Sequence, residues 1–211
     1  MLTVEAVLEA VPTVNAASWP AAALPHHTFL TLTGRMSECE VGAAMALLTD
    51  WFATEADGSG CVPDAAERVR RLIATDRLVA AGGLRVRDAR TGVTVTPGCC
   101  CGLEDWREWL RLPDGVHVHL GHDPTPRAEF EGRAVLMWPD GGDGDEERPE
   151  GRPIRLPLAD LPGLLRAVRA DLEGFLDLVG RWAGRYVPSQ AADLVAKLDA
   201  DLEIRPPLTI P

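Results

Sequence analysis

An apolar stripe between residues 161 and 182 constrains the fold more than any other feature of this chain. Asp160 followed by Pro162 is typical of a helix start, because proline fits the first helical turn. Apolar residues then recur every three or four positions, at Leu161, Leu164, Leu165, Val168, Leu172, Phe175, Leu176, Val179 and Trp182. A helix of this kind is stable mainly when other elements cover its apolar face. The stripe therefore predicts that the longest helix lies near the C-terminal end and packs on a core.

The remaining patterns predict a mixture of helices and strands. Further helices are predicted at residues 3–11, after the Ser37–Glu40 capping box, at residues 64–75, at residues 103–110 and after Ser189. Strands are predicted at residues 27–33, 78–88, 92–96, 116–120, 127–131, 133–138 and 154–156. Short turns join several of these strands, so we expect an antiparallel sheet or meander packed against several helices, which is an α+β fold. We expect a single α+β domain over residues 1–211, with a possible helical subregion over residues 1–76.

The net charge indicates which class of partner the protein binds. The chain has 32 acidic and 21 basic side chains, which gives a net charge of −11. Nucleic acid is not predicted as a partner, because its phosphates are bound by clustered cations. A protein with a basic surface is a better match. The acidic side chains predicted to contact it share one polar segment: Asp140, Asp143, Asp145, Glu146 and Glu147.

The sequence also bears on where the protein acts. The first ten residues, MLTVEAVLEA, contain acidic side chains instead of the basic ones of an export signal, and no apolar run approaches the roughly 18 residues of a membrane span. The five cysteines are an odd number and include a consecutive triplet, which is not typical of a secreted disulfide framework. We therefore expect a cytoplasmic protein with reduced thiols and no membrane partner.

The cysteine triplet at residues 99–101 and a nearby His-x-His pair form a candidate metal site. In an extended segment Cys99 and Cys101 project to the same side, and in a strand so do His117 and His119. Two thiolates and two imidazoles are a ligand set of structural zinc sites. Cys99, Cys101, His117 and His119 are therefore the predicted ligands if the chain binds zinc. No other cofactor is predicted.

Two catalytic alternatives use the same region. One cysteine of the triplet could act as a nucleophile, with His117, His119 or His122 as its base. The run HVHLGHD also resembles the His-x-His-x-Asp-His motif of metallo-β-lactamase-type hydrolases at these three histidines, and departs from it at Gly121, where that family has aspartate. This resemblance implies a hydrolytic zinc ion. The chain has no Walker A loop, G-x-S-x-G elbow or H-E-x-x-H helix, so the sequence favours a protein without catalytic activity.

Longer segments carry two further resemblances. PGCCCGLEDWREWL, LGHDPTP and VLMWPD resemble uncharacterised actinobacterial proteins that have a Gly-Cys-Cys…Trp segment and a Leu-Gly-His-Asp-Pro segment. The order of helices and strands is more loosely similar to that of SMI1/KNR4-like proteins, many of which are toxin immunity proteins. This similarity implies a noncatalytic protein-binding protein, in the manner of an immunity-type antagonist of a basic toxin domain. The alternative is a metal- or thiol-dependent enzyme that uses Cys99–Cys101 and His117–His122.

Overall fold

The computed structural model describes residues 1–10, 18–50, 64–141 and 151–209. Its strands are β1 (Leu2–Glu9), β2 (Phe29–Thr31), β3 (Gly82–Asp88), β4 (Val93–Val95), β5 (Arg127–Glu131), β6 (Ala134–Trp138) and β7 (Ile154–Pro157). Its α-helices are α1 (Glu38–Asp50), α2 (Ala65–Ala74), α3 (Leu161–Tyr186) and α4 (Ala191–Asp201), with 3₁₀ helices at Leu103–Asp114 and Pro188–Gln190. These elements confirm the predicted α+β class, with antiparallel sheets and a long C-terminal helix.

The first strand organises a four-stranded antiparallel sheet with the order β2-β1-β3-β4. The helix predicted over residues 3–11 is wrong, because Leu2–Glu9 is hydrogen-bonded to β2 on one side and to β3 on the other. Val4, Ala6 and Leu8 are buried on one face of the strand, whereas on the other face Val7 is buried between the half-exposed Glu5 and Glu9. Apolar and polar residues alternate from Leu2 to Ala6, as in a half-exposed strand, and only Val7 interrupts this pattern.

A second antiparallel sheet has the order β5-β6-β7. The predicted hairpins β3–β4 and β5–β6 are confirmed, and the turn of the second contains Gly132 in a left-handed conformation. The strand predicted over residues 116–120 is wrong. The backbone of that segment bonds elsewhere: the Val116 N–H donates to the carbonyl of Arg111, and the carbonyl of Leu120 accepts from Gly98.

The helix starts follow the predicted capping chemistry. At the start of α1, the Ser37 N–H donates to the Glu40 carboxylate at 2.7 Å, and the Glu40 N–H donates to the Ser37 hydroxyl at 3.3 Å. This reciprocal pair confirms the capping box. At the start of α2, the side chain of Asp64 accepts a hydrogen bond from the Glu67 N–H at 2.8 Å, which confirms Asp64 as the N-cap.

Helix α3 packs its predicted stripe on the core, and of the nine predicted positions only Leu164 is half-buried. Its backbone approaches the loop before α1 very closely: a Cβ built at Gly174 would lie 2.6 Å from the Cα of Gly34. The core is contiguous and includes residues of both sheets, of the four α-helices and of the predicted subregion 1–76, which contributes β1, β2, α1 and α2. Among the described residues, no helix combines the length and the apolar character that crossing a membrane requires.

The 3₁₀ helix Leu103–Asp114 fixes the chain that follows the cysteine triplet. The indole N–H of Trp106, which is buried, donates to the carbonyl of Leu202 at 2.7 Å. On the other side of the triplet, the Gly82 N–H of β3 donates to the carbonyl of Cys101 at 3.1 Å. The triplet is therefore held between the four-stranded sheet and a helix anchored to the C-terminal segment.

Candidate functional site

Two loops meet at the surface beside the four-stranded sheet. We name residues 97–102, which follow β4, the cysteine loop, and residues 117–124, which precede β5, the histidine loop. Their backbones pair: the Cys99 N–H donates to the carbonyl of His122 at 2.5 Å, and the His122 N–H donates back to the carbonyl of Cys99 at 3.1 Å. A third bond joins the Gly98 N–H to the carbonyl of Leu120 at 2.7 Å. The two loops are thus held in a fixed register.

Two glycines allow the loops to come this close. A Cβ at Gly98 would lie 2.3 Å from the carbonyl oxygen of Pro124 and 2.6 Å from the backbone nitrogen of His122. A Cβ at Gly121 would lie 2.5 Å from the carbonyl oxygen of Cys99, and Gly121 also has a φ of 84°, which side chains with a Cβ rarely adopt. Only residues without a side chain fit at these two positions.

The paired loops bring three metal-ligating side chains together. The sulfur atoms of Cys99 and Cys100 are 3.8 Å apart, and the Cys100 sulfur lies 3.2 Å from Nε2 of His122. One ligand atom from each of these three residues lies within 4.8 Å of the others, and all three side chains are exposed. In the described part of the chain, no other group of three or more histidine, cysteine or acidic residues meets this criterion.

The backbone of Cys100 explains why neighbouring cysteines converge. Cys100 has a φ of 65°, which places it in the left-handed region. An extended segment would send the side chains of Cys99 and Cys100 to opposite sides. The left-handed residue interrupts that alternation, so the two sulfurs lie on the same side of the loop.

Asp123 lies behind the histidine. Its Oδ2 is 3.4 Å from Nδ1 of His122, the ring nitrogen that does not face the sulfurs. A carboxylate in this position favours the tautomer whose Nδ1 is protonated and whose Nε2 lone pair is free to bind a metal.

Cys101 lies apart from this group. Its side chain is half-buried, and its thiol donates to the carbonyl oxygen of His119 at a sulfur–oxygen distance of 3.7 Å. Burial raises the pKa of the Cys101 thiol to about 11, so this thiol is protonated at neutral pH. Contact with the Cys100 sulfur raises the pKa of the exposed Cys99 thiol, so a metal ion would have to displace its proton.

The predicted histidine ligands are both exposed but lie outside the group. His117 packs edge-to-face against Phe130 of β5, with ring centroids 5.0 Å apart. His119 lines a small cleft beside the cluster, together with Cys100, Trp106, Trp109 and Leu120. The same-face argument for His117 and His119 fails because their segment is not a strand. Of the four predicted ligands, the convergent group contains Cys99 alone.

Cys100 and His122 entered the sequence analysis only through the catalytic alternatives. The signal that could have identified them is the turn chemistry on both sides of His122, since glycine before it and Asp-Pro after it are typical of a tight loop and not of a strand. A histidine in a tight loop can face a neighbouring loop, as His122 does. His117 and His119, earlier in the same segment, do not join the group.

Of the predicted protein-binding residues, Asp140 is described and exposed, just beyond the end of β6. Asp143, Asp145, Glu146 and Glu147 lie outside the described residues. Contact of this segment with a basic partner therefore stays a prediction.

Comparison with known proteins adds no assignment to these residues. No family model, no curated protein and no solved structure matches this chain. The resemblances to actinobacterial proteins, metallo-β-lactamase-type hydrolases and SMI1/KNR4-like proteins stay predictions.

Proposed function

We propose that this protein binds one zinc-type transition-metal ion through the sulfurs of Cys99 and Cys100 and Nε2 of His122. The spacing of the three atoms carries this proposal. In a tetrahedral zinc site with metal–sulfur bonds of about 2.3 Å and a metal–nitrogen bond of about 2.0 Å, two sulfurs are about 3.8 Å apart and sulfur and nitrogen about 3.5 Å apart. Here the two sulfurs are 3.8 Å apart, the Cys100 sulfur is 3.2 Å from Nε2 of His122, and one ligand atom of each residue lies within 4.8 Å of the others.

The number and exposure of the ligands favour an open site. Structural zinc sites are closed by four protein ligands, whereas catalytic sites keep one position for water or a substrate atom. The group here offers three ligands, all of them at the surface. The bound ion would supply Lewis acidity, and the residues of the chain would hold it, with Asp123 orienting the His122 ring from 3.4 Å. This proposal follows the metal-dependent alternative predicted from the sequence, with a different ligand set.

Titration of the reduced, chelator-treated protein with Co²⁺ tests the proposal. Cobalt held by thiolates absorbs strongly in the near ultraviolet, and we expect one Co²⁺ per chain with this absorption, displaced by Zn²⁺. Cys100→Ser removes the sulfur shared by both short contacts, so the affinity of this variant for Co²⁺ should fall by at least ~100-fold. Such a loss is larger than the loss of an outer-shell partner usually causes.

Cys101→Ser is the matched control, since it removes an adjacent sulfur that is turned toward the His119 carbonyl. This variant should bind Co²⁺ like the unchanged protein. Co²⁺ binding that survives Cys100→Ser, or that is lost in Cys101→Ser and His117→Ala instead, would show that the geometry of the three residues does not define the site.

We also propose a second function, the binding of a basic protein through the acidic segment that begins at Asp140. Its support is the net charge of −11 and the five acidic side chains between residues 140 and 147. Replacing these five by the corresponding amides should weaken binding of a basic partner domain and reduce its salt dependence, because rim charges act mainly through long-range attraction. A partner bound equally well by the amide variant, at low and high salt, would remove this proposal while leaving the metal site untouched.

A further inference from the structure

The two exposed cysteines of the group are in direct contact with each other. Their sulfurs are 3.8 Å apart, although both residues are free thiols, and both side chains face solvent. The two backbone hydrogen bonds between Cys99 and His122 fix the backbone of the first cysteine, and the left-handed conformation of Cys100 places the second side chain on the same side of the loop. Two thiols held at this distance are arranged to react in sequence with one oxidant.

We infer that Cys99 and Cys100 are a redox-active dithiol, oxidised by small disulfides to a Cys99–Cys100 disulfide. In the first step one thiolate attacks a sulfur of the small disulfide, forms a mixed disulfide and releases one small thiol. In the second step the neighbouring thiolate attacks the protein sulfur of the mixed disulfide and releases the other small thiol. The two protein sulfurs lose two electrons, the small disulfide gains them, and the two thiol protons end on the two small-thiol products.

The third cysteine of the triplet is excluded from this reaction by its position. Cys101 is also adjacent to Cys100, but its sulfur is half-buried and turned toward the carbonyl of His119. An oxidant reaches the two exposed sulfurs first. Whichever of Cys99 and Cys100 forms the mixed disulfide, the sulfur of the other is already in contact with it and attacks it. The triplet therefore gives one defined product instead of a mixture.

Sequence adjacency makes the oxidation reversible. The Cα atoms of neighbouring residues are about 3.8 Å apart across a trans peptide, whereas disulfides usually join Cα atoms about 4.4–6.8 Å apart. A disulfide between neighbours is therefore strained, and strained, exposed disulfides are the ones that dithiols reduce readily.

Oxidation should also control metal occupancy. This part of the inference rests on the proposed metal function, because the two oxidised sulfurs are two of the three proposed ligands. A sulfur in a disulfide no longer offers the thiolate that a zinc-type ion binds. Oxidation would leave His122 as the remaining ligand, which is insufficient to hold the ion.

Peptide mapping of the full-length, chelator-treated protein after exposure to glutathione disulfide tests the dithiol. Trypsin releases all three cysteines of the triplet in the peptide Thr91–Arg107, which contains neither Cys39 nor Cys61. We expect this peptide to lose two hydrogen atoms and carry no glutathione in the unchanged protein and in Cys101→Ser. Cys99→Ser and Cys100→Ser should instead retain one glutathione. A persistent adduct in the unchanged protein, or loss of the internal disulfide in Cys101→Ser, would overturn the assignment.

Co²⁺ absorption separates this inference from the proposed function. Glutathione disulfide should abolish the near-ultraviolet absorption of Co²⁺-loaded protein, and a dithiol reductant should restore it. An internal disulfide in a protein that never binds Co²⁺ would leave the dithiol standing and remove the metal function. Co²⁺ binding in a protein whose peptide never loses two hydrogens would leave the metal function standing and remove the dithiol.

Discussion

Replacing Gly98 by alanine is expected to weaken Co²⁺ binding by at least ~100-fold, which corresponds to about 2.7 kcal/mol. The new Cβ would lie 2.3 Å from the carbonyl oxygen of Pro124 and 2.6 Å from the backbone nitrogen and oxygen of His122. These atoms belong to backbone, which cannot swing aside as a flexible side chain does. The histidine loop must therefore move away from the cysteine loop, and the 3.2 Å contact between Cys100 and His122 is lost. The measurement is the Co²⁺ titration described above.

Gly92→Ala is the control for loss of stability without loss of the site. Gly92 lies in the β3–β4 turn with a φ of 74°, and a Cβ there would meet no atom within 4 Å. We expect this variant to lose about 1 kcal/mol of unfolding free energy through backbone strain and to bind Co²⁺ normally. Gly98→Ala protein that binds Co²⁺ as tightly as Gly92→Ala would show that the close approach of the loops is not needed for the site.

Gly174→Ala is expected to lower the melting temperature by roughly 3–10 °C, although alanine is the better helix former. A Cβ at Gly174 would lie 2.6 Å from the Cα of Gly34 and 3.0 Å from its nitrogen. Helix α3 would have to shift away from the loop before α1, and α3 carries large buried side chains, among them Phe175 and Trp182. Overpacking of this kind usually costs about 1–3 kcal/mol. Thermal unfolding followed by circular dichroism measures the change.

Replacing glycine by alanine near the end of α3 should instead raise the stability of the protein. A Cβ at Gly184 would meet no atom within 4 Å, so Gly184→Ala should stabilise the protein by up to about 1 kcal/mol through helix propensity alone. Equal stabilisation by Gly174→Ala and Gly184→Ala would show that the backbone of α3 at Gly174 does not lie this close to Gly34.

The helices could be predicted where a local signal and the tertiary structure agree. The stripe of α3 is buried, and the caps of α1 and α2 act through side chains within three residues of the backbone groups they satisfy. Such contacts depend on local sequence, so they can be recognised without knowing what lies across the core. The two short hairpins were predictable for the same reason.

The first strand could not be predicted from local sequence. Val4, Val7 and Leu8 have the three- and four-residue spacing of an amphipathic helix, and the alternation from Leu2 to Ala6 is that of a strand, so the local pattern fits both structures. What decides the conformation is pairing with β3, more than seventy residues away along the chain. Local propensity carries no information about that partner.

The candidate site was predictable in its residue types and region but not in its ligand set. The expected alternation grouped Cys99 with Cys101, and one left-handed residue at Cys100 regroups Cys99 with Cys100. His122 is selected by the backbone pairing of two loops, which depends on the absence of side chains at Gly98 and Gly121. Sequence patterns based on strand periodicity do not represent such contacts.

The exposure of Cys99, Cys100 and His122 has a practical consequence for anyone who purifies this protein. If the cluster binds zinc as proposed, an immobilised-nickel column would offer it a competing metal, a chelating buffer would strip the bound ion, and storage in air would supply an oxidant. Samples of identical sequence would then differ chemically at Cys99, Cys100 and His122. Two defined preparations, one reduced and metal-free and the other reduced and reconstituted with zinc, are the appropriate starting materials for any search for activity.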